Sequence, residues 1–232
     1  MSADGTGAQR KRVSSRRFEA ILFDLDGVLV DTEIWWDEVR IAFATAEGRS
    51  WTEDDRAAIM GSNTREWRSL MKRRLNLDMP ERDIERAVIA GMLERYGREG
   101  PPAISGAVAT VRRLARRYTL GVASSAPPLV IETALAGLGV RGLFRAVASS
   151  DEVAAGKPAP DVYLLAAERI GVEPAACLVV EDSLNGVMAA RAAGMRVVLI
   201  PNASIPPAQG ARAAADFTLD RLADLDPDLL PS

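Results

Sequence analysis

The first residues of this chain that could do chemistry are two carboxylates spaced by one residue, Asp24 and Asp26. Gly27 follows them directly. They follow the apolar run 20–23, which is typical of a buried strand in a parallel sheet. Ligands of open α/β sheets bind at the carboxyl ends of strands. Two acids at such an end need a cation or a proton to coexist, so we predict a divalent metal and a phosphoryl group there. The same motif is also ordinary turn chemistry, and taken alone it leaves that alternative open.

Three further sets of polar residues follow later apolar runs. Ser124 and Ser125 offer hydroxyls and free N–H groups to an anion, Lys157 is held between a glycine and a proline, and Glu181 and Asp182 form a second acidic pair. Each set has an ordinary alternative, which is a helix cap for the serines and acids and a solvated loop for the lysine. Together they predict one oxygen-rich pocket that selects Mg²⁺, with Ser124 and Lys157 on the phosphate oxygens.

The elements that must position these residues alternate between helix and strand after residue 105. Strands are predicted over 119–123, 144–148, 178–180 and 196–200 and near 217–219, with helices over 107–118, 127–138, 160–170 and 185–193. Such alternation predicts a parallel, doubly wound sheet, although the first strand is separated from the others by four predicted helices. We therefore predict an α/β fold with a Rossmann-like core made of 18–34 and 101–232, and an inserted all-helical cap over 35–100.

Charge and hydropathy restrict the partners. The chain has 232 residues, a net charge of −3 and 48% apolar residues, which indicates a sizeable core and no global attraction to nucleic acid. No apolar run approaches the roughly 20 residues that span a bilayer, and no secretory signal is visible. We expect a cytoplasmic protein, a monomer or weak homodimer, that binds a small molecule and neither nucleic acid nor membrane. Residues 1–17 are basic and are predicted to be a disordered leader, since a nucleic-acid or membrane arm would need aromatic or amphipathic patterning.

The chain contains no histidine and one cysteine, Cys177. Ser-His-Asp hydrolysis and histidine-ligated metal sites are therefore excluded, and acid–base chemistry near neutral pH must use other groups. The single cysteine allows no intrachain disulfide and no zinc cluster. Carboxylates and a lysine remain as the chemical groups of the predicted pocket.

In combination, the motifs resemble those of the haloacid dehalogenase superfamily. They are D-L-D-G-V-L-V-D-T-E over 24–33, the serine after a strand, G-K-P-A-P-D over 156–161 and V-V-E-D-S-L-N-G-V-M-A-A-R-A-A-G-M over 179–195. The resemblance is to the phosphatase and β-phosphoglucomutase-like branch with a helical cap. It implies Asp24 as nucleophile and Asp26 as general acid–base, with Mg²⁺ as cofactor. The implied phosphate-binding residues are Gly27, Ser124, Ser125 and Lys157, and the implied metal ligands are Asp24, the main-chain carbonyl of Asp26, Asp182 and, directly or through water, Glu181.

Three functions stay open within this resemblance. The mutases of the branch use a histidine at the position that Trp36 occupies here. They also use a cap arginine to hold the second phosphate of the substrate, and Arg65 is displaced from that position by one residue. Hydrolysis of a small phosphate monoester is therefore favoured over phosphoryl transfer between sugar positions, and a non-catalytic phosphate-ligand binder is a third alternative. The four tryptophans of the predicted cap are expected to place three side chains in its core and one against substrate.

Overall fold

The structure is a computed structural model, and it describes residues 17–59 and 62–230. Its described residues form one six-stranded parallel sheet in the order β3-β2-β1-β4-β5-β6, so that β1 lies in the interior between β2 and β4. This confirms the predicted α/β, doubly wound parallel sheet. The strands are β1 (Ala20–Phe23), β2 (Thr119–Ser124), β3 (Ala146–Ser149), β4 (Cys177–Glu181), β5 (Arg196–Leu199) and β6 (Phe217–Thr218).

Helices cover both faces of the sheet because successive side chains of each strand point to opposite sides. Phe23 belongs to one buried cluster with Val130, and Leu22 belongs to the other with Tyr163. Every residue of β1 is fully buried, as expected for an interior parallel strand. The helices of this part are α5 (Ala107–Leu114), α6 (Pro128–Gly137), α7 (Asp161–Ile170), α8 (Leu184–Ala192) and α9 (Ala211–Ala214).

The four helices predicted between β1 and α5 are present. They are α1 (Glu33–Ala46), α2 (Glu53–Ile59), α3 (Thr64–Arg74) and α4 (Glu81–Glu99). Asn63 begins α3 with a reciprocal capping box to Glu66, which satisfies two main-chain donors at once. The apolar faces of these helices pack together around Met71, Val88 and Met92. The division of the chain into a core of 18–34 and 101–232 and a cap of 35–100 stays a prediction.

The chain enters and leaves the four helices at one place. Val30 and Ala103 form an antiparallel bridge. The amide of Asp31 donates to the carbonyl of Pro102 at 2.8 Å, and the amide of Ile104 donates to the carbonyl of residue 29 at 3.0 Å. The two connecting segments are therefore held side by side.

Two expectations concern the ends and the surroundings of the chain. Within 17–59 and 62–230, no helix is long and apolar enough to cross a membrane. The predicted leader 1–17 lies outside the described residues except for Arg17.

Candidate active site

The carboxyl ends of β1, β2 and β4 meet in a cavity of about 370 Å³. Parallel strands place these ends at the same edge of the sheet, so residues far apart in sequence become neighbours. The structure brings the predicted residues together there, with Gly27 just behind them. Those that line the cavity are Asp24, Asp26, Ser124, Ser125, Lys157, Glu181 and Asp182.

Lys157 lies at the centre of this group. Its Nζ donates to Asp24 Oδ1 at 2.5 Å, to Glu181 Oε1 at 2.7 Å and to the carbonyl of Ala123 at 3.2 Å. Burial alone would lower the pKa of Lys157, but the two carboxylates raise it well above its ordinary value. The lysine therefore carries a fixed positive charge beside Asp24.

Glu181 holds Lys157 in place through a fully occupied carboxylate. Oε1 accepts from Lys157 and from the Tyr163 hydroxyl at 2.8 Å, while Oε2 accepts from the amides of Asp182 and Ser183 at 2.9 and 3.0 Å and from the Ser183 hydroxyl at 3.0 Å. A Cβ at Gly186 would lie 1.6 Å from Oε1, so only glycine lets α8 begin this close. Burial would raise the pKa of Glu181, but Lys157 and these donors lower it. With both oxygens taken by protein donors, Glu181 has the geometry of a positioning residue.

Tyr163 is a residue of the site that was not predicted from the sequence. Its hydroxyl is the one polar atom on the buried face of α7, and its ring lies 4.8 Å from Lys157 Nζ. The available signal was a tyrosine at an otherwise apolar position of the predicted helix 160–170.

Asp26 is held by residues of the first motif and of α1. The Thr32 hydroxyl and Trp36 Nε1, the latter at 3.0 Å, both donate to its Oδ1. Burial raises the pKa of Asp26, and these two hydrogen bonds oppose that rise. No described residue donates to Oδ2, which remains available for proton exchange in the cavity.

Asp24 and Asp182 supply the oxygen donors that a divalent cation needs. Asp182 is 5% exposed and no described residue donates to its carboxylate. Burial, followed by the nearby Glu181 and Asp24, raises the pKa of Asp182 well above its ordinary value. Burial likewise raises the pKa of Asp24 although Lys157 opposes it. A cation beside both carboxylates would favour their charged form.

The geometry around Asp182 fits Mg²⁺. Gly27 has a φ of 82°, and a Cβ there would lie 1.9 Å from Asp182 Oδ2, so glycine keeps this position clear. No group of three or more His, Cys, Asp or Glu side chains arranged to hold a metal occurs in the described part of the chain. Mg²⁺ does not require one, because it keeps several waters and binds through one or two carboxylates plus substrate phosphate.

Two serines, Ser124 at the end of β2 and Ser125 directly after it, line the cavity together with these acids. Ser124 is fully buried, and its Oγ accepts from the amide of Ala126 at 3.0 Å. The hydroxyl proton of Ser124 therefore points to an acceptor other than this amide, and a phosphate oxygen in the cavity is a suitable one. Ser125 lines the same wall.

The far end of the cavity is formed by the helices α1, α2 and α3. Trp36 and Trp67 both line it, so two tryptophans reach the cavity where one was expected. Arg40 and Asp37, which the sequence analysis did not single out, also line this end. A charged pair on a predicted amphipathic helix reads as a solvated surface in sequence, which is why these two residues were missed.

Two hydrogen bonds from Thr64 tie the start of α3 to Asp151, in the loop after β3. Asp151 Oδ1 accepts from the Thr64 amide at 2.9 Å, and Oδ2 accepts from the Thr64 hydroxyl at 2.6 Å. A carboxylate at the first turn of a helix is also favoured by the helix dipole. This contact helps to hold the four helices over the carboxyl edge of the sheet.

Comparison with known proteins identifies the family of this chain. Residues 18–194 match the family model described as haloacid dehalogenase-like hydrolase. Hexitol phosphatase B of Escherichia coli K12 is 31% identical over 190 residues, covering 80% of this chain and 85% of the relative. Fructose-1-phosphate phosphatase YqaB of the same organism is 34% identical over 192 residues, covering 78% and 96%. The crystal structure of CbbY from Rhodobacter sphaeroides in complex with phosphate has a TM-score of 0.80 at 28% identity, covering 90% and 96%.

Proposed function

This chain belongs to the haloacid dehalogenase-like hydrolase family, and on that premise we propose that it is a Mg²⁺-dependent phosphatase acting on a small sugar-phosphate-like monoester through an aspartyl-phosphate intermediate. The observation that carries the proposal is the contact of Lys157 with both Asp24 and Glu181. Beside them, Asp26 accepts hydrogen bonds from described residues at Oδ1 and not at Oδ2. Relatives named as hexitol and fructose-1-phosphate phosphatases support the substrate class.

Asp24 is the nucleophile in this proposal. Its carboxylate attacks phosphorus in line, the bond to the leaving-group oxygen breaks, and Lys157 and Ser124 hold the equatorial oxygens. Burial raises the pKa of Asp26, which favours the protonated form that gives its proton to the departing alkoxide. Asp26 then takes a proton from the water that attacks the phosphoaspartate, which returns Asp24 and releases phosphate.

Mg²⁺ would be held by Asp24, Asp182 and the main-chain carbonyl of Asp26, and it would neutralise charge on the transferring group. The sequence predicted Glu181 as a direct or water-mediated metal ligand. In this proposal Glu181 does not bind the metal, because five protein donors occupy its carboxylate. It fixes the position of Lys157 and the loop that carries Asp182. Gly27 lets the Asp182 carboxylate approach the first motif closely.

The mutase alternative receives no support from the described residues. Trp36 stands where the mutases use a histidine, and its indole donates to Asp26 without being able to exchange a proton. A cytoplasmic location, a monomer or weak homodimer and the absence of nucleic-acid or membrane partners stay predictions.

The decisive experiment measures phosphate release from a panel of sugar phosphates with Mg²⁺ and with EDTA. We expect Mg²⁺-dependent phosphate release by the wild type. Asp24→Asn should lower the rate of release more than 1000-fold, because a neutral amide replaces the nucleophilic carboxylate. Asp54→Asn on the exposed surface of α2 is the matched control and should retain full activity. Near wild-type release by Asp24→Asn would refute the mechanism.

A further inference from the structure

Asp37 and Arg40 lie three residues apart on α1 and both line the far end of the cavity. An acid and an arginine at this helical spacing normally face each other and pair. Here no ion pair or hydrogen bond joins them, and neither side chain bonds to another described residue. Asp37 Oδ1 and Arg40 Nε are both buried and have no hydrogen-bond partner among the described residues. In folded proteins, buried polar atoms nearly always have such a partner.

Two indole rings contact the Arg40 guanidinium. The Arg40 guanidinium carbon lies 5.1 Å from the centre of the Trp36 ring and 5.7 Å from that of Trp67. Such cation–π contacts fix the arginine without using its hydrogen-bond donors. The result is a cavity wall that presents an unused donor group next to an unused acceptor group.

The surrounding charges indicate what kind of group would bridge them. Burial lowers the pKa of Arg40 to about 10, and the carboxylates of Asp37, Asp26 and Glu33 oppose that fall. Among the described residues, six acidic side chains line the cavity against three basic ones, Arg40, Arg56 and Lys157. A second phosphate or a carboxylate would meet no net positive field here, whereas neutral hydroxyls can both accept from Arg40 and donate to Asp37.

Building on the proposed phosphatase function, we propose that Asp37 and Arg40 bind neighbouring hydroxyls of a neutral, polyhydroxylated leaving group. The phosphoryl group lies at Asp24 and Lys157 at the other end of the same cavity. The pair therefore selects sugar or sugar-alcohol phosphates and discriminates against substrates that carry a second anionic group.

The test compares kcat/KM for three probes, namely a hexitol phosphate, p-nitrophenyl phosphate, which has no hydroxyls on its leaving group, and fructose 1,6-bisphosphate. Arg40→Met and Asp37→Ala should each lower the value for the hexitol phosphate about 10- to 100-fold, as expected for loss of hydrogen bonds to a charged group. The loss for p-nitrophenyl phosphate should be at least about tenfold smaller. The wild type should prefer the hexitol phosphate to the bisphosphate.

Asp83 and Arg86 provide a matched control, because they are the same two residue types at the same spacing on the exposed face of α4. Asp83→Ala and Arg86→Met should leave all three values unchanged. Asp37→Asn keeps the size of the side chain and replaces Asp37→Ala if the latter folds poorly. Equal losses on all probes, no loss on the hexitol phosphate, or an Arg40-dependent preference for the bisphosphate would each overturn the proposal.

A binding measurement separates this proposal from the phosphatase proposal. The Tm of Asp24→Asn is recorded with and without hexitol phosphate, alone and combined with Arg40→Met or Asp37→Asn. A Tm rise that the second substitution abolishes supports the hydroxyl site even if the wild type releases no phosphate. Turnover of the hexitol phosphate with no effect of the second substitution on Tm or kcat/KM would overturn the hydroxyl site alone.

Discussion

Replacing Glu181 by Gln tests whether this side chain organises the site or binds the metal. The substitution changes one atom, but the Glu181 carboxylate accepts hydrogen bonds at both ends. A glutamine has one oxygen, so its amide nitrogen must face either Lys157 and Tyr163 or the main-chain amides of the following residues. Donors would then point at donors in a site where Glu181 is 1% exposed.

The magnitude follows from the buried charge that loses its partner. Removing one member of a buried ion pair costs about 3–5 kcal/mol, because the other charge remains desolvated. Asp24 remains bonded to Lys157 at 2.5 Å and retains part of that energy, so we expect a loss of about 3 kcal/mol in the free energy of unfolding. That is a large part of the 5–15 kcal/mol typical of a domain.

Urea denaturation at pH 7.5 in EDTA measures this loss without any contribution from Mg²⁺. Glu168→Gln, on the exposed side of α7, is the control and should change the free energy of unfolding by less than about 0.5 kcal/mol. The Mg²⁺ concentration for half-maximal activity should change little in Glu181→Gln and rise at least about tenfold in Asp182→Asn. A loss of less than 1 kcal/mol, or the larger Mg²⁺ effect in Glu181→Gln, would refute the positioning role.

Three further predictions concern the carboxylates around the site and the contact between α3 and the sheet. Trp36→Phe removes a donor that lowers the pKa of Asp26, so the basic limb of the kcat/KM–pH profile should move upward by roughly one unit; an unmoved limb contradicts this. Burial raises the pKa of Glu33 from 4.5 to about 7, so its contribution to stability is present below pH 4.5 and is lost as the pH rises to 7. Glu33→Gln should therefore raise Tm by a few degrees at pH 8 and leave it unchanged at pH 4.5, both in EDTA, and equal effects at the two pH values would disprove the assignment. Asp151→Ala removes the acceptor of the Thr64 amide and hydroxyl and should cost about 0.5–2 kcal/mol, with faster amide exchange in α3 but not in β1; unchanged exchange in α3 would show that the contact carries no stability.

The sheet was predictable because each strand is a short apolar run followed by polar residues. The predicted strand near residues 217–219 is present as β6, and the predicted run 178–180 belongs to β4, which begins one residue earlier and includes Glu181. Element ends shift in this way because hydrogen bonding to a neighbouring strand, and not apolar character, decides where a strand stops. The gathering of Asp24, Lys157 and Asp182 at one edge was predictable from the parallel topology alone.

Partnerships across the site could not be predicted in the same way. Whether Glu181 faces a metal or five protein donors depends on the rotamer of one side chain and on where Tyr163 lies across the helix–sheet interface. The sequence of α1 likewise does not show that Trp36 and Trp67, from different helices, both contact the Arg40 guanidinium. Such contacts are set by tertiary packing, which local sequence patterns do not predict.

The side-by-side arrangement of the two connecting segments has a consequence for how this protein can be altered. Because Val30 and Ala103 are bridged, a tight turn joining them would close a small hairpin and leave every strand of the sheet in register. If the predicted division into core and cap holds, α1 to α4, with Asp37 and Arg40 on α1, would be an exchangeable module, while Asp24, Lys157 and Asp182 would belong to the part that stays. Grafting a different helical insertion between residues 30 and 103 offers a route to new leaving-group preferences on unchanged phosphoryl chemistry.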